Sequence, residues 1–235
     1  MSTQAMVQRN TINSTHLHGR GMGPSPTPDA TPTVFVVDRD ASVRRSLKLL
    51  IRREGWRPET FASAHAFLGC PRAAVPTCLV LNVSLSDING LELQKRVAQE
   101  RPDMPIIFIA DQVDIPTTVQ AMKAGAIEFF TKPLLHDVLA SAIRDGIERS
   151  HSALGHEAEL RPLRDRYASL SRRELQVMSL VVAGLPNKLA GAEIGISEVT
   201  VKAHRGRVMK KMEANSLADL VKMAARLSLA CGSKN

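Results

Sequence analysis

Apolar runs alternate with amphipathic segments between residues 33 and 150. The runs are 33–38, 57–61, 78–82, 105–110 and 126–131, and most of them lack polar alternation, as is typical of strands buried on both faces. Helical periodicity marks the segments between and after them, at 43–54, 63–68, 91–100, 116–124 and 136–150. Strands that alternate with helices predict an α/β fold, a five-stranded doubly wound parallel sheet with helices on both faces.

The last third of the chain has helical periodicity only. A helix is expected to begin at Ser171, with Glu174 completing a capping box, and to end at Gly184. A short helix over KLAGAEI and a turn at Gly195 follow. Ser197 is a good N-cap for a helix over 198–212, and a final helix begins near Ser216. The pattern predicts a small all-α domain over 169–230.

Two segments lack a clear pattern. Residues 1–32 are rich in Ser, Thr, Asn, Gly and Pro and are expected to form a disordered tail, in which Met22 is an alternative start. His16 and His18 in this tail lack further ligands and are not expected to bind metal. Residues 151–168 contain Gly155 and Pro162 among charged residues and are interpreted as a linker, in part a continuation of the preceding helix.

The charge distribution adds information about partners. The chain has a net charge of +8, and residues 161–235 hold 14 basic and six acidic residues, so the excess lies in the last third. This asymmetry is expected if the last third meets a polyanion. Charge alone does not separate DNA from a membrane surface or an acidic partner. An aromatic content of 3% argues against a stacking platform for single-stranded nucleic acid. No apolar run reaches the roughly 18 residues that span a bilayer, and no signal peptide is visible, so a cytoplasmic protein without membrane contact is expected.

The three cysteines are expected to be reduced thiols. Cys70, Cys78 and Cys231 are odd in number, and no pair has CxxC spacing. A disulfide framework or a zinc site is therefore not expected.

The first domain resembles a known family. The segments VVDRD, LNVSLSDINGLEL, IFIADQ and EFFTKP resemble the receiver domain of bacterial two-component response regulators, most closely the FixJ-like subgroup. The resemblance covers about residues 33–150. It implies an acidic pair that binds Mg²⁺, a phosphoryl-accepting Asp at the end of the third strand, a Thr or Ser at the end of the fourth, and a Lys before Pro after the fifth.

Three of these five positions are changed in this chain. Asp38 and Lys132 are kept, but Arg39 replaces the second acid, Asn82 replaces the phosphoryl-accepting Asp, and Ala110 replaces the Thr or Ser. A carboxamide is not the carboxylate nucleophile that an acyl phosphate needs. Mg²⁺ prefers hard, anionic oxygen ligands, and Arg39 brings a permanent positive charge instead. The site is therefore expected to be degenerate, with no aspartyl phosphorylation, no bound metal and no cofactor.

Several neighbouring residues have alternative interpretations. Arg39 is expected to pair with Asp38 as a substitute for the metal; the alternative is that it points to solvent. Asp40 is expected to cap the first helix, and Asp87 to be a loop residue. Phosphorylation at Asp87 or Ser84 instead of position 82 is the less favoured interpretation.

The resemblance also implies a switch residue. In the family, an aromatic side chain three residues before the Lys turns inward when the protein is phosphorylated, and the neighbouring face becomes a dimer surface. Phe129 has this position, and Ala110 leaves space beside it. Phe129 is therefore expected to lie inward without phosphorylation, with the face formed by 115–124 and 126–131 able to dimerise.

The last domain resembles the LuxR-type helix-turn-helix, through GLPNK, GIS and TVKAHR in that order. In the helix over 198–212, Val201, Val208 and Met212 share one face and are expected to join the core. The opposite face is basic and lacks bulk, as a helix that enters the major groove requires. The candidate DNA contacts are Lys188, Thr200, Lys202, Ala203, His204, Arg205, Gly206, Arg207 and Lys210. Ala203 suits a thymine methyl and Lys202 a guanine edge or a phosphate, whereas His204 is equally well interpreted as a packed core residue.

Together these features predict a cytoplasmic transcription regulator, not an enzyme, that binds double-stranded DNA as a homodimer. Its receiver would serve dimerisation or partner sensing without phosphoryl chemistry. The alternative is an interaction module, whose receiver docks a sensor kinase or another regulator that controls DNA binding. No nucleophile–base pair or metal cluster in the sequence favours an enzyme.

Overall fold

The structure is a computed structural model that describes residues 30–231 except 73 and 113, with side chains as far as 227. The expectations for His16, His18 and Met22, and for most of the tail over 1–32, fall outside the described residues. The Cys231 side chain falls outside them as well. In the described part of the chain, no helix is both long and apolar enough to cross a membrane.

The described residues contain five strands and nine helices. In chain order they are β1 (Thr33–Val37), α1 (Ala41–Arg53), β2 (Arg57–Phe61), α2 (Ala64–Leu68), β3 (Thr77–Asn82), α3 (Gly90–Glu100), β4 (Ile106–Ala110), α4 (Ile115–Lys123), β5 (Glu128–Thr131), α5 (His136–Ala168), α6 (Arg172–Val182), α7 (Asn187–Ile194), α8 (Glu198–Met212) and α9 (Leu217–Cys231).

The strands form one parallel sheet in the order β2-β1-β3-β4-β5. Residues of β1, β3 and β4 are buried throughout, which explains their unbroken apolar sequences. Alternate side chains enter two cores. One lies under α1 and α5 and includes Val36 and Ile143; the other lies under α2 and α3 and includes Phe35 and Leu93. The predicted doubly wound sheet is confirmed.

Local capping explains where the receiver helices begin. Asp40, Ser63, Asn89 and Asp114 are the N-caps of α1 to α4, and the side chain of each accepts a hydrogen bond from a backbone N–H of the first turn. Asp40 was expected to cap α1, and the structure confirms this. Each cap lies in the loop after a strand, so it fixes where that loop ends and the helix begins.

Residues 151–168 belong to α5, which continues without a break for 33 residues and includes Pro162. The sequence indicated only a linker with partial helix. The middle of α5, from 151 to 159, is almost entirely exposed. Leu160 and Leu163 are then buried against α8 and α9. One helix therefore begins in the receiver core and ends in the core of the helical domain.

The helical domain is built around α8. Val208 and Met212 join the core shared with α5 and α9, and Val201 joins a second cluster with α6 and α7. The predicted core face of this helix is confirmed. Gly191 in α7 lies against the α7–α8 turn, and a Cβ there would come within 2.6 Å of the Ile196 carbonyl oxygen. A small residue at position 191 thus sets how closely α7 approaches the turn.

Candidate regulatory site and nucleic-acid interface

The carboxyl edge of the sheet brings together the residues expected at the degenerate site. Asp38 follows β1, Asn82 ends β3, Ala110 ends β4 and Lys132 follows β5. Since β1, β3 and β4 are neighbours and all strands are parallel, these ends meet at one place. Asp38, Asn82 and Ala110 are buried, and the Lys132 side chain is mostly buried.

The Asp38 carboxylate has hydrogen-bond partners on both oxygens. Oδ2 accepts from Asn82 Nδ2 at 3.0 Å and from Lys132 Nζ at 2.9 Å. Oδ1 accepts from the backbone N–H of Asp40 at 2.8 Å. A carboxylate buried from water requires such partners, because an unpaired buried charge is strongly unfavourable. The protein itself therefore neutralises and solvates Asp38.

Asn82 makes a contact that an aspartate could not make. Its amide nitrogen donates to Asp38, while its Oδ1 accepts from the backbone N–H of Ser84 at 2.9 Å. A carboxylate at position 82 would place a second negative charge against Asp38. The amide joins the ends of β1 and β3 where two carboxylates would repel each other.

Lys132 bridges two carboxylates. Its Nζ lies 2.9 Å from Asp38 Oδ2 and 3.2 Å from Asp111 Oδ1. Burial opposes the charged form, but the hydrogen bonds and Coulomb attraction of Asp38 and Asp111 outweigh it and raise the Lys132 pKa. Asp111 was not identified from the sequence, although an acid directly after the buried end of β4 was a visible signal.

The prediction that Arg39 forms an ion pair with Asp38 is wrong. Arg39 is exposed, and among the described residues its guanidinium forms no salt bridge with Asp38. Its backbone carbonyl instead accepts from Arg44 Nη1 at 2.9 Å. Asp38 is fully buried and accepts from Asn82, Lys132 and the Asp40 N–H, whereas the adjacent Arg39 is exposed to solvent.

The residues at this edge do not fit Mg²⁺. Both Asp38 oxygens already accept hydrogen bonds from the protein, and the neighbouring position 39 holds an exposed arginine in place of a second acid. Across the described ranges, no group of three His, Cys, Asp or Glu side chains could hold a metal ion. Hard oxygen ligands in the number that Mg²⁺ requires are therefore missing here.

Asp87 has a structural role beyond that of a loop residue. Its carboxylate accepts from the backbone N–H groups of Ala64 and His65, at 3.2 and 2.9 Å, and lies 2.9 Å from His65 Nδ1. Burial opposes its ionisation, but the His65 backbone and ring and the Ala64 N–H together lower the Asp87 pKa. Asp87 thereby ties the β3–α3 loop to the start of α2.

Phe129 is half-buried and faces the α2–α3 side of the sheet. Its ring stacks on Phe108 with centroids 5.9 Å apart and an interplanar angle of 28°. Next to it, α4 exposes three apolar side chains at helical spacing: Ile115 (78% exposed), Val119 (45%) and Met122 (41%). The face expected to dimerise is therefore apolar and solvent-accessible in the single chain.

In the helical domain, one face of α8 is accessible. Lys202, Ala203, Gly206 and Lys210 are exposed on the side opposite the buried Val201, as expected. A Cβ at Gly206 would meet nothing within 4 Å. The glycine is therefore not required by packing in the isolated chain.

The other expected DNA contacts differ in whether their side chains are free or already hydrogen-bonded within the described part of the domain. Arg207 and Lys188 are exposed, and Lys188 lies in the first turn of α7. Thr200 Oγ1 lies 2.8 Å from Ser197 Oγ, and Arg205 Nη1 donates to Asn187 Oδ1 at 3.3 Å. These two side chains therefore also stabilise the start and the packing of α8.

His204 and Lys202 have specific local surroundings. His204 is half-buried, and its Nδ1 is buried without a hydrogen-bond partner among the described residues. Lys202 Nζ lies 3.5 Å from Glu198 Oε1, an (i, i+4) pair at the start of α8. Val199 lies on the same helix face one turn before Ala203, is 77% exposed and was not among the contacts expected from the sequence. Its signal in the sequence is an apolar side chain on a helix face predicted to be polar.

Two family models match the chain. The model described as response regulator receiver domain matches residues 34–144, and the model described as bacterial regulatory proteins, luxR family, matches residues 168–224. The two domains defined by fold and motif are thus a receiver and a LuxR-type helix-turn-helix.

Full-length relatives share both domains. Nodulation protein W of Bradyrhizobium diazoefficiens is 42% identical over 89% of this chain and 92% of its own length. The transcriptional regulatory protein FixJ of the same organism is 38% identical over 83% and 96%. A solved structure of the response regulator StyR has a TM-score of 0.67 and 43% identity, and the match covers 84% of this chain and all of that one. The chain belongs to the FixJ-like, LuxR-type two-component response regulators, which regulate transcription by binding DNA.

Proposed function

We propose that this response regulator binds DNA without aspartyl phosphorylation, and that its receiver serves dimerisation or partner sensing. The observation that carries the proposal is the contact between Asn82 Nδ2 and Asp38 Oδ2 at 3.0 Å. The amide occupies the position of the phosphoryl-accepting carboxylate and provides no nucleophile. Its hydrogen bond also engages Asp38, the acid that would otherwise bind Mg²⁺.

The Lys132–Asp38–Asn82 network supports this proposal electrostatically. Lys132 and the neighbouring N–H groups compensate the buried charge of Asp38. The site therefore needs neither a metal ion nor a phosphoryl group to be neutralised. In this proposal the receiver has one stable arrangement of its sheet edge, set by sequence.

Incubation of the full chain with acetyl phosphate and Mg²⁺, followed by intact-mass measurement, tests the proposal. We expect no gain of a phosphoryl group in the wild type or in Asn82→Asp, because Arg39 still replaces the second metal ligand. The double variant Arg39→Asp/Asn82→Asp restores both acids and is the matched positive control. A phosphorylated wild-type protein, at Asp87, Ser84 or elsewhere, would contradict the proposal.

Homodimer formation through α4 is part of the same proposal. Ile115, Val119 and Met122 form one exposed apolar stripe on a helix that borders Phe129. Burial of such a stripe against a second copy removes apolar surface from water. Analytical ultracentrifugation of the full chain should show a dimer that Val119→Glu dissociates. The matched control Leu49→Glu, at an exposed position of α1, should leave the dimer intact.

A receiver that docks another protein is the second candidate. On α1, Leu49 is 64% exposed and lies on the same helical face as the exposed Arg45 and Arg52. An apolar side chain flanked by arginines suits an acidic partner such as a sensor protein. A gel shift with the purified chain alone distinguishes the two candidates. Specific binding without any partner supports the first, and binding that requires a partner supports the second.

For DNA binding, we propose that the first turns of α8 enter the major groove. The exposed face of Lys202, Ala203 and Gly206 is basic and has little bulk. Arg205, Arg207, Lys188 and Thr200 flank this face and would contact phosphates. Footprinting of the wild-type chain on duplexes selected from a random library tests this placement.

A further inference from the structure

Val199 is unusual among the valines of α8. It is 77% exposed, whereas Val201 and Val208 of the same helix are at most 1% exposed. The side chain belongs to the first turn of α8, where it contributes nothing to either core cluster of the domain. A β-branched residue is also slightly unfavourable in a helix. Neither packing nor helix propensity therefore explains why position 199 is a valine.

The position of Val199 relates it to the DNA-facing side of the helix. Lys202, Ala203 and Gly206 follow it at i+3, i+4 and i+7, which places all four on one face. The buried Val201 and Val208 lie on the opposite face. Val199 is therefore the N-terminal end of the proposed recognition stripe, and N-terminal residues of such helices contact base edges.

The chemistry of the side chain limits what it can contact. Valine cannot donate or accept a hydrogen bond, so it cannot bind a phosphate or a polar base edge. In the major groove the apolar feature of the bases is the C5-methyl group of thymine. Lys202, which lies 3.5 Å from Glu198 in the free chain, would supply a polar contact next to it.

Resting on the proposed placement of α8, we infer that Val199 determines specificity by contacting a thymine methyl group. This contact is distinct from that of Ala203, which projects from the following turn and would meet a neighbouring base pair. Loss of a contacted methyl should weaken binding about fourfold, as expected for one methylene-sized group returned to water.

The test is a double-mutant cycle between protein and DNA. Duplexes are first selected from a random library with the full-length wild-type chain. Each thymine in a selected duplex is then replaced by deoxyuridine, which removes only the methyl group. Wild-type, Val199→Ala and Ala203→Gly proteins are titrated against each duplex. At one thymine the penalty for uracil should disappear in Val199→Ala and persist in Ala203→Gly.

The outcomes distinguish a failure of the Val199 contact from a failure of the proposed placement of α8. The inference for Val199 is overturned if every loss of affinity caused by deoxyuridine persists in Val199→Ala, or if such a loss disappears only in Ala203→Gly. In both cases the proposed placement of α8 stands. If the wild-type chain selects no sequence from the library, the proposed placement of α8 fails, and the inference fails with it. Circular dichroism and thermal unfolding verify that both variants remain folded.

Discussion

Lys132 Nζ lies 2.9 Å from Oδ2 of Asp38, a carboxylate with no exposed surface. This pair joins the residue after β5 to the residue after β1, which are separated by 94 positions in the chain. Asn82 and Asp111 complete the arrangement at the same edge of the sheet. The receiver therefore contains an internal ionic cluster at the carboxyl edge of its sheet.

Removal of the Lys132 charge should destabilise the receiver. Lys132→Met leaves Asp38 buried without a cation, which typically costs about 3–5 kcal/mol. We expect the lower end of that range, because Asn82 and the Asp40 N–H still donate to the carboxylate. Urea unfolding measures the change.

Lys95→Met is the matched control for this experiment. The Lys95 ammonium is exposed and lies 3.9 Å from Glu92 on the surface of α3. Surface pairs of this kind contribute about 0–1 kcal/mol. Equal losses in Lys132→Met and Lys95→Met would show that the ionic cluster has no special role in stability.

The helical domain should lose stability in acid through Glu174. The hydrogen bond from Lys211 and the backbone N–H of Ser171 lower the Glu174 pKa to about 2. Since the folded pKa lies below the ordinary value of 4.5, the stabilisation is complete above that value and is lost as the pH falls towards 2. Unfolding monitored across this range should show a shallower pH dependence in Glu174→Gln than in the wild type. Glu193→Gln, at an exposed position of α7, should retain the wild-type slope.

Alanine at position 206 should separate stability from DNA binding. A Cβ there has open space in the free chain, and alanine is favoured over glycine in a helix by about 1 kcal/mol. Gly206→Ala should therefore stabilise the domain but weaken DNA binding if the helix approaches the bases closely. Gly155→Ala, in the exposed part of α5, has the same open space and is the matched control. Unchanged DNA affinity in Gly206→Ala would show that α8 does not approach the bases closely at position 206.

Lys202→Ala should reduce sequence discrimination. If Lys202 contacts a base edge, discrimination between cognate and altered duplexes should fall by about 1–3 kcal/mol. Affinity of the wild type should also decrease steeply with salt, since phosphate contacts release counterions. Competitive gel shifts measure both effects, with Lys222→Ala on exposed α9 as the control. A uniform loss on all sequences would reassign Lys202 to a phosphate.

Local sequence patterns were sufficient for most of the elements. The buried strands follow from unbroken apolar runs, and the helix starts follow from caps such as Asp40 and Ser197, because these signals act between residues only a few positions apart. The placement of Asn82 and Ala110 at the sheet edge could also be predicted, since each residue ends a buried apolar run. The extent of α5 was missed because Gly155 and Pro162 are local signals against a helix, whereas the burial of Leu160 and Leu163 against α8 and α9 is tertiary.

Charge pairing was decided by the tertiary structure. Arg39 is adjacent to Asp38 in sequence yet faces solvent, while Lys132 and Asn82 reach the same carboxylate from distant strands. Asp87 likewise accepts a hydrogen bond from the backbone N–H of His65, 22 residues away at the start of α2. Sequence determines which charges are present and which segments are buried. Distances in the folded chain determine which charge meets which, because Coulomb and hydrogen-bond energies depend on separation in space and not along the chain.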